Sequence, residues 1–209
     1  MRSTKRSHKN LPLPAALAVL ALVSFLPLTI AAQTARPDVD FRAGYDARPG
    51  APTIEALLGH AMGDAISDPD ELTRAFDGLV DAFPDRVRKI PYARSWQGRE
   101  LFYLVIGTPE RVAALDAIRA DIRVIARPDR HDASAVEAAL ERVPGTVWLS
   151  HSVHGNEIAP ADASLLLAHH LLTAADDPVV ERILAGTLVF IDPMHNPDGR
   201  ARFVHRFEA

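Results

Sequence analysis

Apolar residues spaced three and four apart predict three helices in the first two thirds of the chain. The first of these patterns opens after Asp68 and ends at Pro84, and it buries one stripe of leucine, valine and phenylalanine. Residues 110–126 and 133–143 carry the other two patterns, and neither contains an obvious chemical group. These segments are therefore interpreted as helices that support the fold.

Four short stretches have the apolar patterns of strands. Residues 87–94 and 101–106 flank a Gly-containing connection and predict a hairpin. Thr146 to Ser150 and Thr187 to Ile191 are apolar runs typical of strands covered on both faces, and a long helix from about Glu157 separates them. Strand, helix and strand predict a parallel crossover, so we expect an α/β three-layer sandwich with a mixed, partly parallel sheet.

The N-terminus has the order of an export signal. Basic residues without acidic ones occupy positions 1–10, and Leu11 to Ala35 contains no charge. We expect a signal peptide over residues 1–32, cleaved near Ala32, and hence a periplasmic or secreted protein. A membrane anchor over residues 11–32 is the alternative, since about 20 apolar residues span a bilayer. Residues 33–52, rich in Pro and Gly, predict an extended lead-in to a domain over residues 53–209.

The net charge limits the classes of molecule that the domain can bind, and the lack of cysteine limits how it is stabilised. The chain has 23 basic and 27 acidic residues, and removal of residues 1–32 leaves 19 against 27, a net charge near −8. Such a domain gains nothing from counterion release, so nucleic acid is excluded as a partner and a membrane is expected only through the N-terminal segment. Without cysteine, an exported chain must depend on a sizeable core or on a metal.

Candidate chemistry follows the strand at 146–150. His154 and Glu157 lie three residues apart, and Gly155 between them allows a tight turn. Zinc accepts an imidazole nitrogen and a carboxylate oxygen, and ligands of open α/β sheets collect at the carboxyl ends of strands. A metal site and a surface pair that caps a helix both fit these residues.

Other histidines have weaker contexts. His151 lies three residues before His154, but strand geometry gives no assurance that it points the same way. His205 and Glu208 repeat the spacing in an Arg-rich tail, and we interpret that pair as chance. His169 and His170 lie far from the start of the predicted helix. Each is expected to have a hydrogen-bond partner or to be exposed, and not to bind metal.

The second apolar run ends in another polar segment. Residues 196–199 read Asn-Pro-Asp-Gly and predict a type I turn. His195 could reach the same edge of the sheet, although nothing in the spacing assigns it a role.

Together these motifs resemble the zinc carboxypeptidase family, the carboxypeptidase A-like metallopeptidases. The resemblance rests on Ser95, Gly98 and Arg99 in the hairpin, on His-Gly-Asn-Glu at 154–157 and on Asn-Pro-Asp-Gly at 196–199. It extends from about Tyr45 to Glu208 and is similar to the N-terminal part of large exported bacterial members.

This resemblance implies a zinc enzyme that hydrolyses peptide bonds. His154 and Glu157 would be zinc ligands, while the family's third ligand, its general-base Glu and its Asn-Arg substrate motif are expected beyond Ala209. The resemblance therefore implies a catalytic domain incomplete at its C-terminal end and inactive by itself. It names no substrate-binding residue in this chain.

One departure keeps two alternatives open. Many digestive members have Arg before the ligand Glu, where this chain has Asn156, which offers only a neutral hydrogen bond. His-Gly-Asn-Glu also occurs in the deacylase branch that resembles aspartoacylase and succinylglutamate desuccinylase. The export signal and the Asn-Pro-Asp-Gly-Arg tail favour the peptidase, and a non-catalytic peptidase-like binding domain is the third possibility.

Overall fold

A computed structural model describes residues 46–208. The predicted signal or anchor over residues 1–32 and most of the predicted lead-in lie outside these residues. Between residues 46 and 208, no helix is long and apolar enough to cross a bilayer.

The described residues form both helices and strands. The strands are β1 Asp46–Ala47, β2 Val87–Arg94, β3 Glu100–Ile106, β4 Gly145–Ser150, β5 Ala174–Ala175 and β6 Thr187–Asp192. The helices are α1 Ile54–Leu58, α2 Pro69–Ala82, α3 Pro109–Ala113, α4 Leu115–Ile125, α5 Ala133–Arg142, α6 Ala159–Thr173, α7 Pro178–Gly186 and α8 Pro197–Glu208, with a 3-10 turn at Pro128–Arg130. The segment predicted as one helix over 110–126 is divided at Ala114 into α3 and α4.

The main sheet has the order β2-β3-β6-β4. Strands β2 and β3 form the predicted antiparallel hairpin, and β3 pairs antiparallel with β6. Strand β4 pairs parallel with β6, from Gly145 opposite Thr187 to Ser150 opposite Asp192. The predicted crossover and the mixed α/β sheet are thus confirmed, with α6 and α7 in the connection.

Both faces of the sheet carry apolar packing. Alternate residues of β3, Phe102, Leu104 and Ile106, share one core cluster with buried residues of α2 and α6. Val105, on the opposite face, packs with Leu188 and with Ile118 of α4. The result is a layer of helices, a sheet and a second layer of helices.

The expectation that both parallel strands are covered on each face is wrong for β4. Strand β6 lies inside the sheet and is mostly buried, whereas Val147 and Trp148 of β4 are 43% and 52% exposed. Strand β4 is at the edge, and in the described part of the chain it pairs only with β6. An apolar run indicates a strand but does not indicate its neighbours, which are set by tertiary packing.

Candidate metal centre

The His-Gly-Asn-Glu and Asn-Pro-Asp-Gly motifs lie side by side at one edge of the sheet. The loop 151–158 follows β4, and the loop 193–196 follows β6, so parallel pairing brings both to the same end. The His151 amide donates to the Asp192 carbonyl at 2.9 Å, and the His195 amide donates to the His151 carbonyl at 3.1 Å. Backbone hydrogen bonds therefore join the two loops.

His154 and Glu157 approach each other in the first loop. Nδ1 of His154 lies 3.0 Å from Oε1 of Glu157, and their side chains are 69% and 56% exposed. Two ligands about 2.1 Å from one tetrahedral zinc ion are separated by roughly 3 to 4 Å. In donor type and separation the pair fits two positions of a zinc site. No third His, Cys, Asp or Glu in residues 46–208 joins them in a group that could hold a metal.

Gly155 is required by a close approach of the loop 151–158 to the start of α8. A Cβ atom at this position would lie 2.1 Å from the carbonyl carbon of Gly199 and 2.2 Å from the Arg200 nitrogen. Both are backbone atoms, so no side chain can move aside to relieve the clash. The absence of a side chain at 155 thus permits the loop 151–158 to pack on the start of α8.

The predicted turn at 196–199 is the beginning of α8. The Asn196 side chain accepts a hydrogen bond from the Gly199 amide at 2.9 Å, and Pro197 occupies the first helical position. The backbone dihedrals of a type I turn are close to helical ones, and the chain continues in that conformation beyond Gly199. The predicted turn is therefore continued as a helix, which the sequence analysis did not predict.

Asp198 ties the hairpin motif to this helix. Its carboxylate accepts hydrogen bonds from the Ser95 hydroxyl at 2.8 Å, the Gln97 amide at 2.9 Å and the Arg99 guanidinium at 2.8 Å. Partial burial acts to raise the pKa of Asp198, but these three hydrogen bonds outweigh it and hold the pKa below its ordinary value. The motif residues Ser95 and Arg99 thus anchor the β2–β3 hairpin beside the candidate metal centre.

His195, which the sequence left without a role, pairs with a buried carboxylate. Its Nε2 lies 2.9 Å from Oδ2 of Asp192, and the same oxygen accepts a 2.7 Å hydrogen bond from the Tyr92 hydroxyl. Burial and then this hydrogen bond raise the pKa of Tyr92. Nδ1 of His151 lies 3.3 Å from the Asp192 carbonyl oxygen, so neither His151 nor His195 joins the His154–Glu157 pair.

The two histidines of α6 make other contacts. Nε2 of His169 lies 2.8 Å from the Pro52 carbonyl oxygen, and Nε2 of His170 lies 3.4 Å from an Asp177 carboxylate oxygen. His205 is exposed on α8, and the side chain of Glu208 lies outside the described residues. The interpretation of His205 and Glu208 as a chance pair stays a prediction.

Sequence reasoning missed the role of Arg200, the residue after the Asn-Pro-Asp-Gly motif. Its side chain is fully buried, with Nε donating to the Ser67 carbonyl at 2.8 Å and two further nitrogens donating to the Ile158 carbonyl and the Asp162 carboxylate. A charged residue is rarely buried unless it is paired, and no local pattern identifies its partner. The only signal in the sequence is its place directly after the motif.

Comparison with solved structures concerns the fold of the chain. The chain resembles the crystal structure of thrombin-activatable fibrinolysis inhibitor with a TM-score of 0.50 and 13% identity, over 72% of this chain and 29% of that one. It resembles carboxypeptidase A from Helicoverpa armigera with a TM-score of 0.47 and 21% identity, over 73% of this chain and 32% of that one. The chain thus spans about a third of the length of these solved proteins. A search among curated proteins finds no match.

The family match covers most of the residues described above. The zinc carboxypeptidase family model matches residues 72–206, which include the hairpin and both loops of the candidate metal centre. This match is longer than half of the chain. The chain therefore belongs to the zinc carboxypeptidase family.

Proposed function

We propose that this chain supplies two zinc ligands, His154 and Glu157, to a metallocarboxypeptidase that hydrolyses peptide bonds. The observation that carries the proposal is the 3.0 Å approach of an imidazole nitrogen and a carboxylate oxygen in the loop after β4. Membership of a zinc carboxypeptidase family supports zinc as the metal. Peptides or proteins are the substrates that this activity implies.

Zinc in such a site lowers the pKa of bound water toward about 7 and polarises a carbonyl group. His154 and Glu157 would hold the metal where a peptide could reach it, because more than half of each side chain is exposed to solvent. Asn156, between them in the loop, is exposed and can offer a neutral hydrogen bond to substrate. Asp198 joins the neighbouring helix α8 to the hairpin, and Arg200 joins it to the Ile158 carbonyl of this loop.

The remaining machinery is proposed to lie C-terminal to Ala209. Catalytic zinc commonly has three protein ligands, and only two donors converge in the described residues. We therefore expect the 209-residue chain to bind zinc weakly and to hydrolyse no peptide, and a longer reading frame with a third His and a downstream Glu to do both. Loss of general acid–base assistance alone commonly costs about 10²- to 10⁴-fold in rate.

Zinc titration and a C-terminal release assay test this proposal on both chain lengths. His154→Ala and Glu157→Ala should abolish zinc binding, whereas His205→Ala, which removes an exposed histidine of α8, should not. Robust zinc-dependent hydrolysis by the short chain would show that the third ligand has been misplaced. Release of acyl groups from amino acids, without peptide hydrolysis, would assign the longer protein to the deacylase branch.

Export is proposed from the sequence alone. N-terminal sequencing of the protein recovered outside the cytoplasm should give a start close to residue 33. A protein that retains residues 11–32 and sediments with membranes would instead be anchored there.

A further inference from the structure

A buried arginine connects the metal-binding loop to three other parts of the chain. The guanidinium of Arg200 is fully buried and bonds the Ser67 carbonyl just before α2, the Ile158 carbonyl and the Asp162 carboxylate in the first turn of α6. Each of its three nitrogens donates to a different acceptor, at 2.6 to 2.8 Å. The side chain is thus a fixed link between α8, α2 and the start of α6.

The residue that Arg200 holds is adjacent to a proposed zinc ligand. Ile158 directly follows Glu157, and its carbonyl accepts the 2.6 Å hydrogen bond from Arg200. At the other end of the loop, Gly155 packs directly on the backbone of Gly199 and Arg200. Residues 155–158 are therefore held at one end by backbone contact with residues 199–200 and at the other by the Arg200 side chain.

Glu157 depends on this backbone for its position. Its carboxylate oxygen lies 3.0 Å from Nδ1 of His154, and more than half of its side chain is exposed to solvent. The direction of its Cα–Cβ bond, set by the backbone, consequently decides where the carboxylate can reach. A rotation of the segment at Ile158 would move it away from Nδ1 of His154.

Only arginine suits this position. Its guanidinium is planar, always charged and carries donors on several sides, whereas the lysine ammonium is a single point at the end of a flexible chain. A lysine at 200 could reach Asp162 or the Ile158 carbonyl, but it could not bond three acceptors spread around the group. The Asp162 pair also compensates the buried charge.

We propose that Arg200 is a positioning residue for the zinc site, which holds Glu157 in the orientation required to bind metal together with His154. This inference rests on the proposed function of His154 and Glu157 as zinc ligands. It assigns Arg200 no contact with metal or substrate.

The test compares zinc affinity and folding in the 209-residue chain. Zinc affinity is measured by competition with a chromophoric chelator, and the geometry of the site by the visible spectrum of bound Co²⁺. Arg200→Lys should lower zinc affinity by about 10- to 100-fold, the usual effect of removing a group that orients a ligand, and should alter the Co²⁺ spectrum. Arg202→Lys is the matched control, because Arg202 is exposed on the same helix, and it should change neither.

A second variant separates positioning from stability. Arg200→Met combined with Asp162→Leu removes the buried charge of Arg200 together with its partly buried partner and leaves no unpaired ion, so it is expected to fold. Weakened zinc binding with a melting temperature near that of the unaltered chain supports positioning by Arg200. Unchanged zinc affinity in this double variant, or in a folded Arg200→Lys variant, would overturn it. If His154→Ala leaves zinc binding unchanged, the proposed function itself fails, whatever Arg200 does.

Discussion

Substitution of Gly155 tests most directly the contact between the loop 151–158 and the start of α8. Because its Cβ would meet the backbone of Gly199 and Arg200, we expect Gly155→Ala to lower the free energy of unfolding by about 1 to 3 kcal/mol. Urea unfolding followed by far-UV circular dichroism measures the change. Gly186→Ala is the control, since nothing lies within 4 Å of a Cβ there, and it should stay within about 1 kcal/mol of the unaltered chain. Equal midpoints for the two variants would disprove the close approach.

Asp198 predicts how the stability of the hairpin anchor depends on pH. Hydrogen bonds lower its pKa in the folded chain, so its stabilisation is fully present above the unfolded pKa of about 3.9 and is lost as pH falls through the folded value. In Asp198→Asn, the free energy of unfolding should be lower at pH 7 and should fall less steeply in acid. Urea unfolding at a series of pH values measures both effects.

The control for this prediction is Asp85→Asn, which removes an exposed carboxylate outside the network. If Asp85→Asn reduces the loss of unfolding free energy in acid as much as Asp198→Asn does, the effect comes from net charge and not from the hydrogen bonds of Asp198.

Residues of the site differ in how far the sequence could predict them. The spacing of His154 and Glu157 is a local property and predicted that they could approach each other. The contact of Gly155 with Gly199 and Arg200 is not local and could not be predicted. The partners of Asp198 and Arg200 are about 40 to more than 130 positions away in sequence, as in the bond from Arg200 to Ser67. Such contacts depend on how α8 packs against the hairpin and α2. No single-sequence pattern contains that information.

The start of α2 gives a prediction for one element. Asp68 accepts hydrogen bonds from the amides of Asp70 and Glu71, and Glu71 in turn accepts one from the Asp68 amide at 2.8 Å. We expect Asp68→Ala to lower the free energy of unfolding by about 0.5 to 2 kcal/mol, because it leaves helical amides without acceptors. Asp70→Ala removes an exposed side chain two residues further on and keeps the capped amide, so it should have a smaller effect. Thermal unfolding of both variants measures the difference. Equal losses of unfolding free energy would contradict a role for the cap.

This element also lies next to Arg200. Ser67, which precedes the cap, accepts a hydrogen bond from Arg200 through its carbonyl, and Arg200 also donates to the carbonyl of Ile158 in the loop 151–158. Its helical pattern and its acidic, proline-containing start made α2 predictable in detail, since both signals are local. Strand β4 was predicted as a strand for the same reason. Its exposure was not predictable, because the neighbours of a strand are set by the whole sheet.

At the scale of the molecule, the two edges of the main sheet differ in how they are protected. Strand β2 contains Pro91, a register irregularity between Pro91 and Ala93, and charges at Arg88 and Arg94. Each of these features opposes pairing with another strand. Strand β4 has neither proline nor charge, and Val147 and Trp148 are half exposed. Among residues 46–208, no strand pairs with the outer side of β4, which therefore presents backbone groups beside apolar side chains.

We expect the 209-residue chain to self-associate through β4 as its concentration is raised. An uncharged edge strand of this kind can pair with a strand of another copy, which would satisfy its free amides and carbonyls and cover Trp148. Val147→Lys should reduce association, because a charge at the edge must be desolvated when two strands pair. Val179→Lys, at a valine of similar exposure on α7, adds the same charge away from any sheet edge and should leave association unchanged. Sedimentation velocity over a range of concentrations compares the three chains. A monomeric unaltered chain would show that β4 does not associate. Equal suppression by both lysines would show that net charge, and not a charge on β4, reduces the association.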